Sequence, residues 1–197
     1  MSANPRHRYT FEEYLALERQ APNRSEFHDG EILGLAGASV PHNQIVVNIT
    51  TSLRLQFRGG ACRSYSSDLK VWIPSERRSL YPDIVIACGE HHYHDMVKDV
   101  LLDPVVIIEV LSPSTESYDR GAKFRHYRSI PTLDEYLLVS QTEARVERFL
   151  RDPRGSAEWV PSEVLGASAE IELRSAPARL SLADVYEDVD IERGQPQ

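Results

Sequence analysis

The chain has 197 residues, of which 41% are hydrophobic and 26% are charged, and its formal net charge is −8. Enough apolar surface is available to exclude disorder as the main state, and no apolar run approaches the roughly 20 residues that span a bilayer. The length favours one domain over residues 1–197, and the acidic balance argues against broad binding of a polyanion, although a local basic groove beside an acidic metal site is compatible with it.

Two turn signals organise the first part of the chain. Residues 10–19 begin with a threonine followed three residues later by a glutamate, a capping-box pattern that predicts a short helix. Asp29 and Gly30 lie within residues 26–35 and form the strongest short signal for a hairpin. Two strands are therefore predicted there, with Glu26 on the first.

A longer helix and several short strands are predicted next. Residues 41–57 carry apolar side chains at helical spacing, which is typical of a helix with one buried face. The predicted strands that follow are 62–65, 69–73 and 84–87.

The second half of the chain alternates strands and helices. The β-branched run at 105–111 predicts a central strand that is covered on both faces. A helix is predicted at 118–128, strands at 136–139 and 145–151, and a short terminal helix near 182–186. This order predicts an α/β fold with a mixed central β-sheet flanked by helices.

Two carboxylates occur where apolar strands are expected. Glu109 interrupts the apolar run VVIIEVL, and a buried carboxylate costs several kcal/mol unless it has a partner; a strand-end position that reaches water is the alternative. Asp83 follows Pro82 at the start of the preceding apolar strand, where a Pro-Asp pair alone usually marks a turn. Because adjacent strands lie about 5 Å apart, the two carboxylates can share one divalent cation. Mg²⁺ binds through one or two carboxylates plus phosphate oxygens.

A basic helix follows this strand. The lysines of the chain are Lys70, Lys98 and Lys123. Because lysine is scarce, the occurrence of Lys123 on the helix that follows Glu109, fourteen residues later, favours a role at the site. The alternative is a surface ion pair with Asp119, four residues before Lys123. The predicted nucleic-acid-binding residues of this helix are Arg120, Lys123, Arg125 and Arg128.

Several motifs occur in one order along the chain. They are SEFHDGEI around Glu26, His42 after GASVP, Pro82-Asp83, IIEVLSPST at 107–115, Asp119 with Lys123, and EYLLV at 135–139. Over about residues 9–187 this order resembles the Uma-two family, within the PD-(D/E)XK (restriction-endonuclease-like) nuclease superfamily. The resemblance implies a restriction-endonuclease-like fold and an endonuclease that hydrolyses phosphodiester bonds of DNA with Mg²⁺, for which Mn²⁺ can substitute.

The same resemblance implies roles for individual residues. Asp83 and Glu109 would be metal ligands, and Glu26 would be a further acid on the metal or its water. Lys123 would orient the attacking water or stabilise the charge of the pentacovalent phosphorus. These four are the predicted catalytic residues, acting on DNA as the partner.

One position departs from the superfamily pattern, which has a lysine two residues after the glutamate. This chain has Leu111 there. Lys123 from the next helix is therefore the predicted catalytic lysine, and Lys70 on a neighbouring strand is the alternative.

Other functions fit parts of the sequence. A non-catalytic nucleic-acid-binding or regulatory protein would keep the fold without binding Mg²⁺ or Mn²⁺. A two-carboxylate glycoside hydrolase would need an aromatic-lined sugar cleft, and this function is disfavoured because the chain has only two tryptophans. The histidines of HHYH at 91–94 lack evident companion ligands, so an exposed polar loop is favoured over a zinc site. His42 near a helix start is predicted to be structural rather than a catalytic base.

The cysteines and the ends of the sequence bear on location and assembly. Cys62 and Cys88 are the only cysteines and form no CxxC motif, so free thiols are expected. Free thiols and a first segment without an apolar signal core predict a cytoplasmic protein with no membrane association. By analogy of fold, two active sites suit double-strand cleavage, so a homodimer is expected.

Overall fold

Helices and strands follow one another along the chain. The computed structural model describes residues 7–154 and 158–191. The first half contains α1 (Phe11–Glu18), β1 (Ser25–His28), β2 (Glu31–Gly34), α2 (Val40–Gln56), β3 (Cys62–Ser66), β4 (Lys70–Ile73), a 3₁₀ turn (Pro74–Glu76), β5 (Arg78–Leu80), β6 (Ile84–Cys88) and β7 (Val100–Leu101). The second half contains β8 (Val106–Val110), α3 (Glu116–Tyr118), a π-helical turn (Asp119–Lys123), α4 (Phe124–Tyr127), β9 (Glu135–Val139), β10 (Arg145–Arg151), β11 (Trp159–Leu165), β12 (Glu170–Glu172), β13 (Arg179–Ser181) and α5 (Leu182–Val185).

The strands of the described residues form three sheets. The largest has the order β11-β10-β9-β8-β6-β3, in which β8 and β9 are parallel and the other neighbours are antiparallel. A five-stranded sheet has the order β2-β1-β5-β4-β7, and β12 pairs with β13. The apolar side chains of α2 cover one face of the largest sheet, and those of α4 cover the other. The predicted mixed central sheet flanked by helices is therefore present.

The alternation of side chains along β8 decides which residues meet. Ile108 packs in the cluster that contains α2, whereas Ile107 and Leu111 pack in the cluster that contains α4. Because successive side chains of a strand point to opposite faces, Glu109 shares its face with Ile107 and Leu111. The carboxylate therefore points toward the helical segment that follows β8.

Local signals mark the predicted N-terminal elements, which are confirmed. The Thr10 side chain caps α1 while Glu13 bonds back to the amide of Thr10, which completes the capping box. Asp29 and Gly30 have φ angles of 45° and 94° between β1 and β2. Two successive left-handed residues are what a type I′ hairpin turn requires. The predicted apolar stripe of α2 is buried.

The strands that the sequence pattern did not predict are β5, β7, β11, β12 and β13. Four of them have two or three residues, which is too short for a pattern of alternation. β11 has seven residues, but Pro161 lies in its middle and removes an N–H donor. In the described sheet β11 pairs only with β10, and an edge position tolerates proline because one side of the strand needs no partner.

Two findings bear on the expected location of the protein. Cys62 lies directly opposite Cys88 in the pairing of β3 with β6, and the two form a disulfide. The prediction of free thiols is therefore wrong, because strand pairing joins residues that are separated by 26 positions in the sequence. In the part of the chain that the structure describes, no helix is long and apolar enough to cross a bilayer.

Candidate active site

Asp83 and Glu109 lie side by side at the ends of two neighbouring strands. The antiparallel register pairs Ile84 with Ile108, so one step further it sets Asp83 opposite Glu109. The main-chain N–H of Asp83 donates to Glu109 Oε2 at 3.2 Å, and the N–H of Val110 donates to Asp83 Oδ2 at 2.8 Å. The structure therefore brings the two predicted carboxylates together.

Lys123 reaches this pair from the π-helical turn. Its Nζ is 2.7 Å from Glu109 Oε1 and 3.5 Å from Asp119 Oδ1. It also donates a hydrogen bond of 3.4 Å to the main-chain oxygen of Tyr81. The exposed fractions of the Lys123 and Glu109 side chains are 9% and 2%, so water does little to screen this ion pair.

Glu26 supplies a third carboxylate from β1 in the five-stranded sheet. Its Oε1 accepts a hydrogen bond of 2.9 Å from the N–H of Tyr81, and its Oε2 lies 3.1 Å from His28 Nε2. Sequence reasoning missed both partners. His28 follows Glu26 by two residues on one strand and so shares its face, a signal that was available. Tyr81 acts through its main chain, which carries no sequence signal.

Burial and neighbouring charges shift the ionisation of the site residues in different directions. Burial raises the pKa of Glu109 well above its ordinary value, against the opposing charge of Lys123. Burial alone would lower the pKa of Lys123, but the surrounding carboxylates, led by Glu109, raise it well above its ordinary value. Burial alone would raise the pKa values of Asp83 and Glu26, but a histidine hydrogen bond to each and the charge of Lys123 lower them. The pocket therefore holds the Lys123 ammonium among carboxylates whose pKa values are shifted in opposite directions.

These residues line one pocket of about 540 Å³. Residues 35–39, which connect β2 to α2, and residues 112–115, which follow β8, contribute to its walls. Its charged side chains are Arg24, Glu26, Asp83, Glu109, Asp119 and Lys123. With every one of them ionised the formal charge is −2, and a bound cation would offset this charge.

The other predicted basic residues lie outside the lining of this pocket. Lys70 is buried and its Nζ lies 3.0 Å from Asp99 Oδ2. Arg120 forms ion pairs with one glutamate of its own helical segment and one of β10. Arg125 and Arg128 are exposed. The structure thus brings Lys123 to the carboxylates and leaves Lys70 and the three arginines apart from them.

The predicted histidines divide into two groups. His42 lies in the first turn of α2, and its Nε2 is 3.1 Å from Asp83 Oδ2, so it orients a site carboxylate. In the HHYH segment, His91 contacts a tyrosine hydroxyl and His92 contacts Asp103. No group of three or more His, Cys, Asp or Glu side chains within residues 7–154 and 158–191 is arranged to hold a metal.

The donor set of the pocket nevertheless suits a divalent cation with few protein ligands. Mg²⁺ prefers oxygen ligands, keeps several waters, and is commonly bound through one or two carboxylates plus phosphate oxygens. Asp83 and Glu109 provide two adjacent carboxylates in a pocket of net negative formal charge. These residues therefore fit a metal ion whose remaining ligands are water and substrate.

Comparisons with known proteins agree with this architecture. The family model Uma2, described as "Putative restriction endonuclease", matches residues 11–184. Two relatives come from Synechocystis sp. (strain ATCC 27184 / PCC 6803 / Kazusa). The uncharacterized protein sll1609 is 38% identical over 163 residues, which cover 83% of this chain and 91% of the relative. The uncharacterized protein slr1290 is 34% identical over 175 residues, which cover 89% and 90%.

A solved structure shares the fold. It is the crystal structure described as a putative nuclease belonging to DUF820 from Anabaena variabilis ATCC 29413. The TM-score is 0.73 at 17% sequence identity, and the match covers 91% of this chain and 98% of that chain. The predicted α/β fold class is confirmed by this match.

Proposed function

The chain belongs to the Uma2 family of putative restriction endonucleases, and from that premise we propose that it is a metal-dependent endonuclease that hydrolyses phosphodiester bonds of DNA. The observation that supports this most directly is the meeting of Asp83, Glu109 and Lys123 in one pocket. Two neighbouring strand ends supply the carboxylates, and the next helical segment supplies an ammonium 2.7 Å from Glu109.

The carboxylates of the pocket are proposed to bind the metal. Asp83 and Glu109 would bind Mg²⁺ or Mn²⁺, and Glu26 would act as a further acid toward the metal or its water. A bound divalent cation supplies a water of lowered pKa and neutralises charge on the phosphoryl oxygens.

The remaining residues of the site orient the reacting groups. Lys123 is held by Glu109, Asp119 and the Tyr81 oxygen, and its ammonium can orient a water or stabilise negative charge that develops on the phosphate. His42 fixes the orientation of the Asp83 carboxylate. Each of these groups has a partner within the protein that orients it.

The proposed DNA surface extends beyond the pocket. Arg125 and Arg128 are exposed on the helical segment that carries Lys123, and Arg24 lies in the pocket wall. Arg120 is included in this surface, although its two ion pairs with glutamates reduce the charge that it offers to a phosphate. Contacts of this kind give affinity that falls with salt concentration.

Nicking of supercoiled plasmid in Mg²⁺ or Mn²⁺ tests the proposal. The variants Asp83→Ala, Glu109→Gln and Lys123→Met are each expected to lower the cleavage rate by roughly a hundredfold or more, the usual cost of removing a group that stabilises a transition state. Glu135→Gln is the matched control for Glu109→Gln, because Glu135 is a fully buried glutamate of the neighbouring strand β9 that lies outside the pocket lining. Its cleavage rate is expected to stay within about threefold of wild type.

A further variant decides between the two candidate lysines. Lys70→Met is expected to lower cleavage less than about tenfold, because the Lys70 ammonium contacts the side chain of Tyr81, 3.4 Å from its hydroxyl and 5.4 Å from its ring centroid, and is not in the pocket lining. Cleavage that survives Asp83→Ala and Glu109→Gln would mean that the site is elsewhere. A folded wild-type protein that cleaves in neither metal would refute the nuclease, and DNA binding by that protein without Mn²⁺ binding would favour a non-catalytic nucleic-acid-binding protein.

The proposal includes a homodimer, in which two sites act on the two strands of a duplex. In the described sheets β2 and β11 are edge strands, and a free edge can pair with another chain. Light scattering is expected to give the mass of two chains, and the mass of one chain would remove this part of the proposal.

A further inference from the structure

A three-residue connector, Tyr81–Asp83, contains one predicted catalytic residue and contacts the other three through its main chain. The N–H of Tyr81 donates to Glu26 Oε1 at 2.9 Å, and the oxygen of Tyr81 accepts from Lys123 Nζ at 3.4 Å. The N–H of Asp83 donates to Glu109 Oε2 at 3.2 Å. Because these groups belong to one short segment between β5 and β6, a shift of the connector moves all of these contacts together.

The side chain of Tyr81 ties this connector to α1. Its hydroxyl donates to Glu18 Oε1 at 2.8 Å. Glu18 is the last residue of α1, and its carboxylate also accepts hydrogen bonds from the N–H and the hydroxyl of Ser25 at the start of β1. Both Glu18 and Tyr81 are buried. The connector is thus tied to α1 and to the strand that carries Glu26.

We propose that the Glu18–Tyr81 hydrogen bond is a positioning device for the reaction, which holds the connector so that Glu26, Lys123 and the Asp83–Glu109 pair keep one productive arrangement. This inference rests on the proposed nuclease function. Tyr81 and Glu18 are positioning residues, because they act on the substrate only through other groups. A misplacement of about 1 Å of reacting groups can cost roughly a hundredfold in rate, so a small displacement of the connector is enough to matter.

The variant Tyr81→Phe removes the hydroxyl and keeps the ring. It is expected to lower kcat for plasmid nicking by about tenfold to a hundredfold, with KM changed less than about threefold, because the arginines that bind DNA are untouched. Glu18→Gln keeps an oxygen acceptor for the Tyr81 hydroxyl and is expected to retain most of the rate. Glu18→Ala removes the acceptor and is expected to behave like Tyr81→Phe.

Tyr14→Phe is the matched control. Tyr14 is a fully buried tyrosine of α1 whose hydroxyl donates to the Ser25 oxygen at 2.6 Å. Removing the Tyr14 hydroxyl costs one hydrogen bond of the same helix, α1, but leaves the bonds of the connector intact. The kcat is therefore expected to stay within about twofold of wild type while the free energy of unfolding falls. If Tyr14→Phe lowers kcat as much as Tyr81→Phe does, the effect is general destabilisation and the proposal is wrong.

Amide hydrogen exchange separates failure of this inference from failure of the nuclease. The Tyr81 and Asp83 amides are expected to exchange at least about tenfold faster in Tyr81→Phe than in wild type and to be unchanged in Tyr14→Phe. Unchanged exchange and unchanged kcat in Tyr81→Phe would refute the positioning role while the nuclease stands. If wild type cleaves no DNA, the role in catalysis is overturned with the proposed function, and the exchange rates still show whether the hydroxyl orders the connector.

Discussion

Lys123→Met tests how strongly the folding free energy of the protein depends on the buried Lys123 ammonium. The Lys123 Nζ is 2.7 Å from Glu109 Oε1 and 3.5 Å from Asp119 Oδ1, and both carboxylates are buried. Methionine keeps most of the side-chain volume but leaves Glu109 without its opposing charge. Removing one partner of a buried ion pair costs about 3–5 kcal/mol of folding free energy, because the other charge is left desolvated and unpaired.

A double variant tests whether this loss of stability comes from the unpaired carboxylate of Glu109. Adding Glu109→Gln to Lys123→Met removes the unpaired charge, so the double variant is expected to be at least about 2 kcal/mol more stable than Lys123→Met alone. Urea unfolding in EDTA measures the free energies of unfolding, with an unchanged m-value as the check that the denatured state is comparable.

Two results would refute this reasoning. A loss below about 1 kcal/mol in Lys123→Met would show that the ion pair contributes no more than an exposed pair does. Strict additivity of the two substitutions would show that Lys123 and Glu109 do not interact in solution, and the geometry of the site would then need a different description.

Three further predictions follow from the charges of the structure. Mn²⁺ is expected to raise the Tm of wild type and of Lys123→Met but not of Asp83→Ala. Because the Lys123 ammonium repels a cation, Lys123→Met is expected to bind Mn²⁺ at least as tightly as wild type, and weaker binding would contradict this. The Arg19 guanidinium, with Lys70, lowers the pKa of Asp99 to about 2; a lowered pKa gives stability that is present above about pH 4 and lost as the pH falls through 2, so urea midpoints of Asp99→Asn and wild type should converge there. Arg148→Met leaves Glu135, which is fully buried and 2.7 Å from Arg148, without its partner, and urea unfolding should show a loss of about 3–5 kcal/mol; a neutral result would contradict the pairing.

The sequence was sufficient to predict the charged part of the site because its residues violate the local pattern. A glutamate inside a β-branched strand and a lysine in a chain that has three lysines both stand out against their surroundings. The sequence also predicted that Asp83 and Glu109 could meet, since Asp83 opens one apolar run and Glu109 lies near the end of the next predicted one. Lys123 was predicted on the helical segment that follows this strand, and in the structure its Nζ lies 2.7 Å from Glu109 Oε1.

Other features could not be predicted because they arise from main-chain contacts and tertiary pairing. The contacts of Tyr81 with Glu26 and Lys123 use its amide and carbonyl groups, which every residue type except proline carries. Its tie to Glu18 joins residues that are 63 positions apart. The Cys62–Cys88 disulfide depends on which strands are neighbours. Strand β11 was not predicted because it contains Pro161, which is tolerated because the strand lies at the edge of the described sheet.

The surroundings of Leu111 favour a cation that is supplied by the helical segment rather than by the strand. Leu111 shares the face of Glu109 and is buried in the same apolar cluster as Phe124, so a lysine at 111 would place its stem among apolar side chains. The ring of Phe124 stacks on Tyr136 of β9 with centroids 4.7 Å apart, and this contact seats the helical segment directly after Lys123. At this site the apolar residue therefore comes from the strand and the cation from the helical segment. It follows that the distance from the ammonium to Glu109 depends on how firmly Phe124 packs against the sheet, and that packing mutations at this contact should impair the site while leaving every charged residue in place.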